Sequence, residues 1–290
     1  GKCAGYCYND TGLIAIGDLA GASQRSGNYN IYFGKCVAST VACNNTSGFN
    51  FGAGFGVLRG VTTGSCNVAI GYEALSGAVT GGSNVAFGRN AGGSSMTGSD
   101  NTAIGRCSMN GTVTGANNIA MGCKAAINLS SGADNIALGQ LAMGSGTVTG
   151  DFNIALGMNA GKSITSAAYN ILIGKCAGCT LQTGTNNTYI GLQAGELANA
   201  TYGNTAVGRR AHCAHTTGNY NSMFGAGAGR NHTSGAYNVA IGNNVYLPKA
   251  IGNSQLAIGC DQDYWIVGNE SWNVGIGTTN PDPAVGVGNT

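Results

Sequence analysis

The five residues Asn67-Val68-Ala69-Ile70-Gly71 come back, with small changes, every 17 residues. A fixed period of this length restricts the chain to a stacked repeat. Asn84-Val85-Ala86-Phe87-Gly88, Asn101-Thr102-Ala103-Ile104-Gly105 and Asn118-Ile119-Ala120-Met121-Gly122 follow in succession. With the Asn as position zero, the anchors are Asn30, Asn50, Asn67, Asn84, Asn101, Asn118, Asn135, Asn153, Asn170, Asn187, Asn204, Asn221, Asn238 and Asn273, with Leu13 and Gln255 as substitutes. The spacing lengthens to 18 between Asn135 and Asn153 and between Gln255 and Asn273, and to 20 between Asn30 and Asn50. About sixteen rungs cover practically the whole chain.

Each rung reads as a short strand between turns. Thr or Ser lies four residues before most anchors, usually followed by Gly (Thr63-Gly64, Thr80-Gly81, Thr97-Gly98), which marks a tight turn. The anchor then leads into a β-branched residue, Ala, a large apolar residue and Gly, an alternation of period two. A second small residue three past the closing Gly (Ala74, Ala91, Ala125) predicts a second short strand. Helices are excluded by the glycines, 52 in 290 residues, which are too frequent for three uninterrupted helical turns. Charged residues make up only 8%, and the net charge of +2 offers no basic stripe for nucleic acid. No apolar run reaches the roughly 18 residues of a membrane helix. The expected fold is all-β: a parallel β-solenoid or β-roll.

The columns suggest what would hold such a coil. Stacked Asn side chains can pass amide hydrogen bonds from rung to rung, and stacked Thr or Ser hydroxyls can do likewise. Alternation gives each strand two apolar faces, one of Ala and one of Val or Ile. One face can fill the coil, whereas the other needs a partner, and small Ala would allow identical chains to approach closely. The residues therefore predict self-association, most simply as three chains about an axis.

The unit Gly64-Ser65-Cys66-Asn67-Val68-Ala69-Ile70-Gly71-Tyr72-Glu73-Ala74 resembles the head repeats of trimeric autotransporter adhesins. Its longer form with the Thr-Gly turn is similar to repeats in tail fibres of aquatic phages and related bacterial surface fibres. The resemblance implies a left-handed parallel β-roll assembled as a homotrimer. The run Asn273-Val274-Gly275-Ile276-Gly277-Thr278-Thr279-Asn280-Pro281 is similar to the join leading from such repeats into a further domain. Residues 1–280 are therefore read as a repeat β-roll, a fragment of a longer chain, and 281–290 as a junction. The longer period and the 11 cysteines depart from adhesin heads.

The cysteines follow the repeat. Cys3, Cys36, Cys107 and Cys176 stand two residues past a closing Gly, and the proposed local staples are Cys3–Cys7, Cys36–Cys43, Cys107–Cys123 and Cys176–Cys179. Such staples imply an oxidising location; small buried thiols are the alternative. Cys66, Cys213 and Cys260 are left over. Cys176-Ala177-Gly178-Cys179 has the spacing of a redox or zinc pair without a thioredoxin-like helix. His212-Cys213-Ala214-His215 has metal-ligating residue types, but it sits on a turn with no carboxylate nearby, and no metal is expected. Sequons at Asn9, Asn44, Asn45, Asn110, Asn128, Asn186, Asn199, Asn231 and Asn269 fall mostly in turns, positions open to glycosylation. Trp265 and Trp272 suit packing at a cap or junction, with sugar contact as the alternative.

No Ser-His-Asp set, paired carboxylates or phosphate loop emerges, so no enzyme and no cofactor are expected. The expectation is an extracellular fibre on a cell surface or virion: shaft or head of a phage tail fibre or bacterial adhesin, meeting a glycan or protein receptor. A purely structural filament and an ice-binding solenoid are the alternatives.

Overall fold

The computed structural model describes residues 1–7, 12–39 and 44–278. Among these the fold is a β-solenoid without helices. The chain divides into two compact units, Gly1–Asp151 and Phe152–Thr290.

In the first unit eight three-residue strands form one parallel ladder: Ile14–Ile16, Ile31–Phe33, Phe51–Ala53, Val68–Ile70, Val85–Phe87, Thr102–Ile104, Ile119–Met121 and Ile136–Leu138. Like pairs with like, as in Ala69 opposite Ala86 and Ala86 opposite Ala103. The 20-residue interval leaves this register intact, with Ile31 opposite Phe51. A second parallel ladder joins Gly60–Val61, Ala78–Val79, Ser95–Met96 and Thr112–Val113. It lies four residues beyond the predicted position: Ala74, Ala91 and Ala125 are buried in turns instead.

The second unit stacks Ile154–Leu156, Ile171–Ile173, Thr188–Ile190, Thr205–Val207, Ser222–Phe224, Val239–Ile241 and Leu256–Cys260 in parallel. The pattern then changes. Asp263–Gly268 pairs antiparallel with Leu256–Cys260, and Val274–Ile276 antiparallel with Asp263–Gly268. The rung expected at Asn273 is therefore no solenoid turn. Asn273 is only half-buried, and its N–H bonds to Asn269 Oδ1 at 3.2 Å. Residues 281–290, read as a junction, lie outside the described residues.

The anchors from Asn30 to Asn238 are buried, at 0–1% exposure, with Gln255 at 3%, while the substitute Leu13 is half-buried. The Asn118 carboxamide shows how they work. Its Oδ1 accepts the Asn135 N–H at 2.9 Å, and its Nδ2 donates to Gly132 O at 2.9 Å and to Asn101 Oδ1 at 3.0 Å. Backbone groups that the turn would orphan are thereby satisfied inside the coil. The hydroxyls donate to carbonyls of the next rung rather than to one another, as in Thr97 Oγ1 to Val113 O at 3.4 Å. Asn118→Ala would strand the Asn135 N–H and the Gly132 carbonyl in a buried site, at roughly 1–3 kcal/mol each. A loss of about 2–6 kcal/mol in urea denaturation is expected, whereas Thr97→Ala, at an exposed turn, should cost well under 1 kcal/mol.

The interior is lined by the Ala face. Ala69, Ala103, Ala120 and Ala137 are fully or almost fully buried. Volume is traded between this strand position and the turn residue six further on. Beside Ala69, Ala103 and Ala137 stand Leu75, Met109 and Met143, all buried. Beside Leu172, Tyr189 and Met223 stand Gly178, Gly195 and Gly229, where a Cβ would come within 2.5–2.7 Å of the larger side chain. A coil this narrow has room for one large residue per pair. The close approach by Ala expected between chains is thus used up within one chain.

Candidate functional site

With Ala inside, the strand residues on either side of it point outward. In the first unit Ile14, Ile16, Phe33, Val68, Val85, Phe87, Ile119 and Met121 are exposed, Phe87 at 54% and Met121 at 41%. In the second unit Ile171, Phe224 and Ile241 are exposed in the same register. Rungs sit about 4.8 Å apart, so in the first unit these side chains form a near-continuous apolar face, whereas in the second Thr188, Thr205 and Ser222 interrupt the position after the anchor.

Aromatic residues just before the anchor add to it. Tyr29 stacks on Phe49 at 5.4 Å, Phe152 on Tyr169 at 5.1 Å, and Tyr220 on Tyr237 at 5.3 Å. All six occupy the left-handed backbone region, φ 57–60°. That conformation is unfavourable for bulky residues, and here it sets the rings outward at the strand entrance. Trp265 and Trp272 are 66% and 83% exposed, so neither is packed in a cap as expected.

The internal surprise is histidine. His212, His215 and His232 are all fully buried in the second unit, and their ligand nitrogens lie within 4.8 Å of one another. His212 Nε2 and His232 Nδ1 are 3.0 Å apart. The rings are stacked, with centroids 3.8 Å apart for His212–His215 and 5.5 Å for His215–His232. Burial pushes all three pKa values down, aided for His212 by His215 and His232 and for His215 by His232. His215 reaches about 3. The sequence reading paired His212 with His215 and missed His232. The signal was the period itself: His215 and His232 are 17 residues apart, both at anchor plus eleven.

None of the four proposed staples is present. Cys3, Cys36, Cys107, Cys123, Cys176 and Cys179 are free thiols. Cys7 has a partner of its own, though not the free thiol of Cys3; Cys43 lies outside the described residues. Cys107 stacks in register with Lys124 rather than Cys123, the Lys124 N–H bonding to Arg106 O, and Cys123 Sγ instead accepts from Arg106 Nη2 at 3.1 Å. Cys176 and Cys179 share a side-chain hydrogen bond but no disulfide, and burial pushes the Cys179 thiol up to about 11. Cys66 and Cys260 are exposed and Cys213 is buried.

Among the sequons, Asn44, Asn128, Asn186 and Asn199 are exposed, and Asn110, Asn231 and Asn269 are half-buried. Asn231 Nδ2 already donates to Leu247 O at 2.8 Å. Asn45 is fully buried, its Oδ1 accepting the Ser47 N–H at 3.0 Å, so its amide is closed to a glycosyl donor in the folded chain. Asn9 lies outside the described residues. Among the described residues no helix is long and apolar enough to cross a membrane.

Comparison of the chain with protein-family models, with curated proteins and with solved structures gave no match.

Proposed function

We propose that this chain is a non-enzymatic extracellular fibre protein, the shaft or head of a phage tail fibre or bacterial surface adhesin, built from three copies. The outward apolar face of the strand ladder carries the reading. Contiguous exposed apolar surface is costly in water and usually marks an interaction site. Val, Ile, Phe and Met in a flat, regular array suit a symmetric partner presenting the same array. Three identical chains would then repeat any weak surface contact to a glycan or protein receptor and raise avidity. The exposed Trp265 and Trp272, with amphipathic rings free in solvent, support contacts of that kind.

An end-to-end filament is less favoured at the Leu256–Cys260 edge. There an antiparallel strand takes up the ladder hydrogen bonds that a stacked copy would need in parallel register.

Light scattering is expected to give a mass of three chains, unchanged by reductant. Phe87→Glu combined with Met121→Glu should reduce it to one chain while leaving far-ultraviolet circular dichroism unchanged, because both side chains are exposed. A single-chain mass for the unmodified protein would overturn the trimer and its use of this face. An open-ended mass distribution would move the assignment to the filament.

A further inference from the structure

We propose that His212, His215 and His232 form an internal binding site for one late first-row divalent cation, zinc being the first candidate. The site lies inside the coil of the second unit and is independent of the outer face.

The repeat shows that packing alone does not ask for histidine here. The column at anchor plus eleven reads Ile164, Leu181, Ala198, His215, His232, all buried. Two rungs of apolar side chains thus give way to imidazoles where the same volume could stay apolar. His212 stands at anchor plus eight beside Ala206, where other rungs place an apolar residue or glycine: Leu75 beside Ala69, Met109 beside Ala103, Ala126 beside Ala120 and Gly161 beside Ala155. Three substitutions toward one ligand type converge on one point of the coil.

Hydrogen bonding is incomplete there. His212 Nδ1 is buried without a hydrogen-bond partner, and neither ring nitrogen of His215 makes a well-formed hydrogen bond, the Thr217 backbone being its one polar neighbour. An unpaired buried polar group costs roughly 1–3 kcal/mol, and such orphans call for an unplaced ion or water. His232 is held better: its Nε2 lies 3.1 Å from Asn238 Nδ2 and 3.4 Å from Gly252 O. With Nε2–H donating to Gly252 O, the Nδ1 lone pair faces His212 and is free for a metal; Asn238 Nδ2, a donor itself, directs its protons to Asn221 Oδ1 and Gly252 O. The depressed basicity of the rings keeps them neutral and able to donate a lone pair near neutral pH.

The donor set selects the metal class. Imidazole nitrogens without carboxylate suit zinc, copper, nickel or cobalt and do not suit magnesium or calcium, which want oxygen. Binding requires the rings to turn from their stacked arrangement toward a shared centre. Full burial means that the ion would enter as the coil closes, during folding.

The test is to refold the whole chain with excess zinc, remove loosely held metal by gel filtration in the presence of a weak chelator, and measure zinc per chain. Free thiols could also hold zinc, so the readout is the difference between the unmodified chain and variants whose replacements have precedent in the repeat, His215→Leu (as Leu181) and His212→Leu (as Leu75). One further equivalent of zinc in the unmodified chain is expected, together with a higher thermal midpoint that neither variant shows. Equal zinc content in the unmodified chain and in either correctly folded variant would overturn the site. X-ray absorption at the zinc edge reads the unmodified chain directly, in case both variants misfold. Imidazole scattering from three ligands is expected, and a first shell dominated by sulfur would sink the proposal.

Discussion

Acidifying the metal-free protein from about pH 7 to about pH 4 is expected to lower its stability steeply, through the three buried histidines. Their folded-state pKa values lie below the ordinary value near 6.5, because burial penalises the charged ring. The unfolded chain therefore takes up protons first as pH falls. Stability is complete above about pH 6.5, declines below it, and goes on declining toward about 3, where His215 protonates in the folded state as well. Each such group contributes a slope of about 1.4 kcal/mol per pH unit. With several acting together, two units of acid would remove a large share of a typical stability of about 5–15 kcal/mol. Urea midpoints measured across this range check the slope. The triple variant His212→Leu, His215→Leu, His232→Leu should give a nearly flat profile over the same range, because burial alone keeps His212 titrating if it is left in place. If it declines as steeply as the unmodified chain, the acid sensitivity comes from elsewhere.

How much of this was legible follows from what a repeat reveals. The parallel ladder and its register could be read because every rung restates the same alternation, and like residues stack on like. Which face is interior could not be read from alternation, since Ala and Val/Ile are both apolar. The structure puts Ala inside because the coil is narrow. The pairs Ala69 with Leu75 and Leu172 with Gly178 carry that information, but only when positions six residues apart are compared. The second strand was misplaced onto Ala74 because burial in a turn and burial in a strand leave the same trace of small residues. The staples failed for a related reason: nearness within a rung was taken for geometry, while stacking puts Lys124, not Cys123, next to Cys107. His232 was missed by reading along the chain instead of down the column. In a solenoid, neighbours are 17 residues apart, and chemistry that spans rungs has to be sought at that interval.

The closing glycines give the other large effect. Gly71 has φ of +130°, and a Cβ built there would sit 2.6 Å from Gly88 O and 2.8 Å from Gly88 C. Gly54 stands in the same relation to Gly71, with 2.2 Å to its carbonyl oxygen. The obstacle is backbone of the next rung, so no side-chain rotation can relieve it, and the alternative is to open the ladder on which every later turn is stacked. Gly71→Ala therefore combines a backbone conformation that side chains rarely adopt, worth about 1–3 kcal/mol, with overpacking of a similar size. A loss of about 2–6 kcal/mol is expected in denaturant unfolding. Gly277→Ala is the matched control. It also has positive φ, at +67°, but a Cβ there meets nothing within 4 Å, so only about 1–2 kcal/mol of left-handed strain remains. Hydrogen exchange adds the position of the damage: protection should fall first at the Gly71 N–H, bonded to Ala53 O, and the Gly88 N–H, bonded to Ile70 O. If the two variants prove equally stable, the closing glycines are set by local backbone preference and not by contact between rungs.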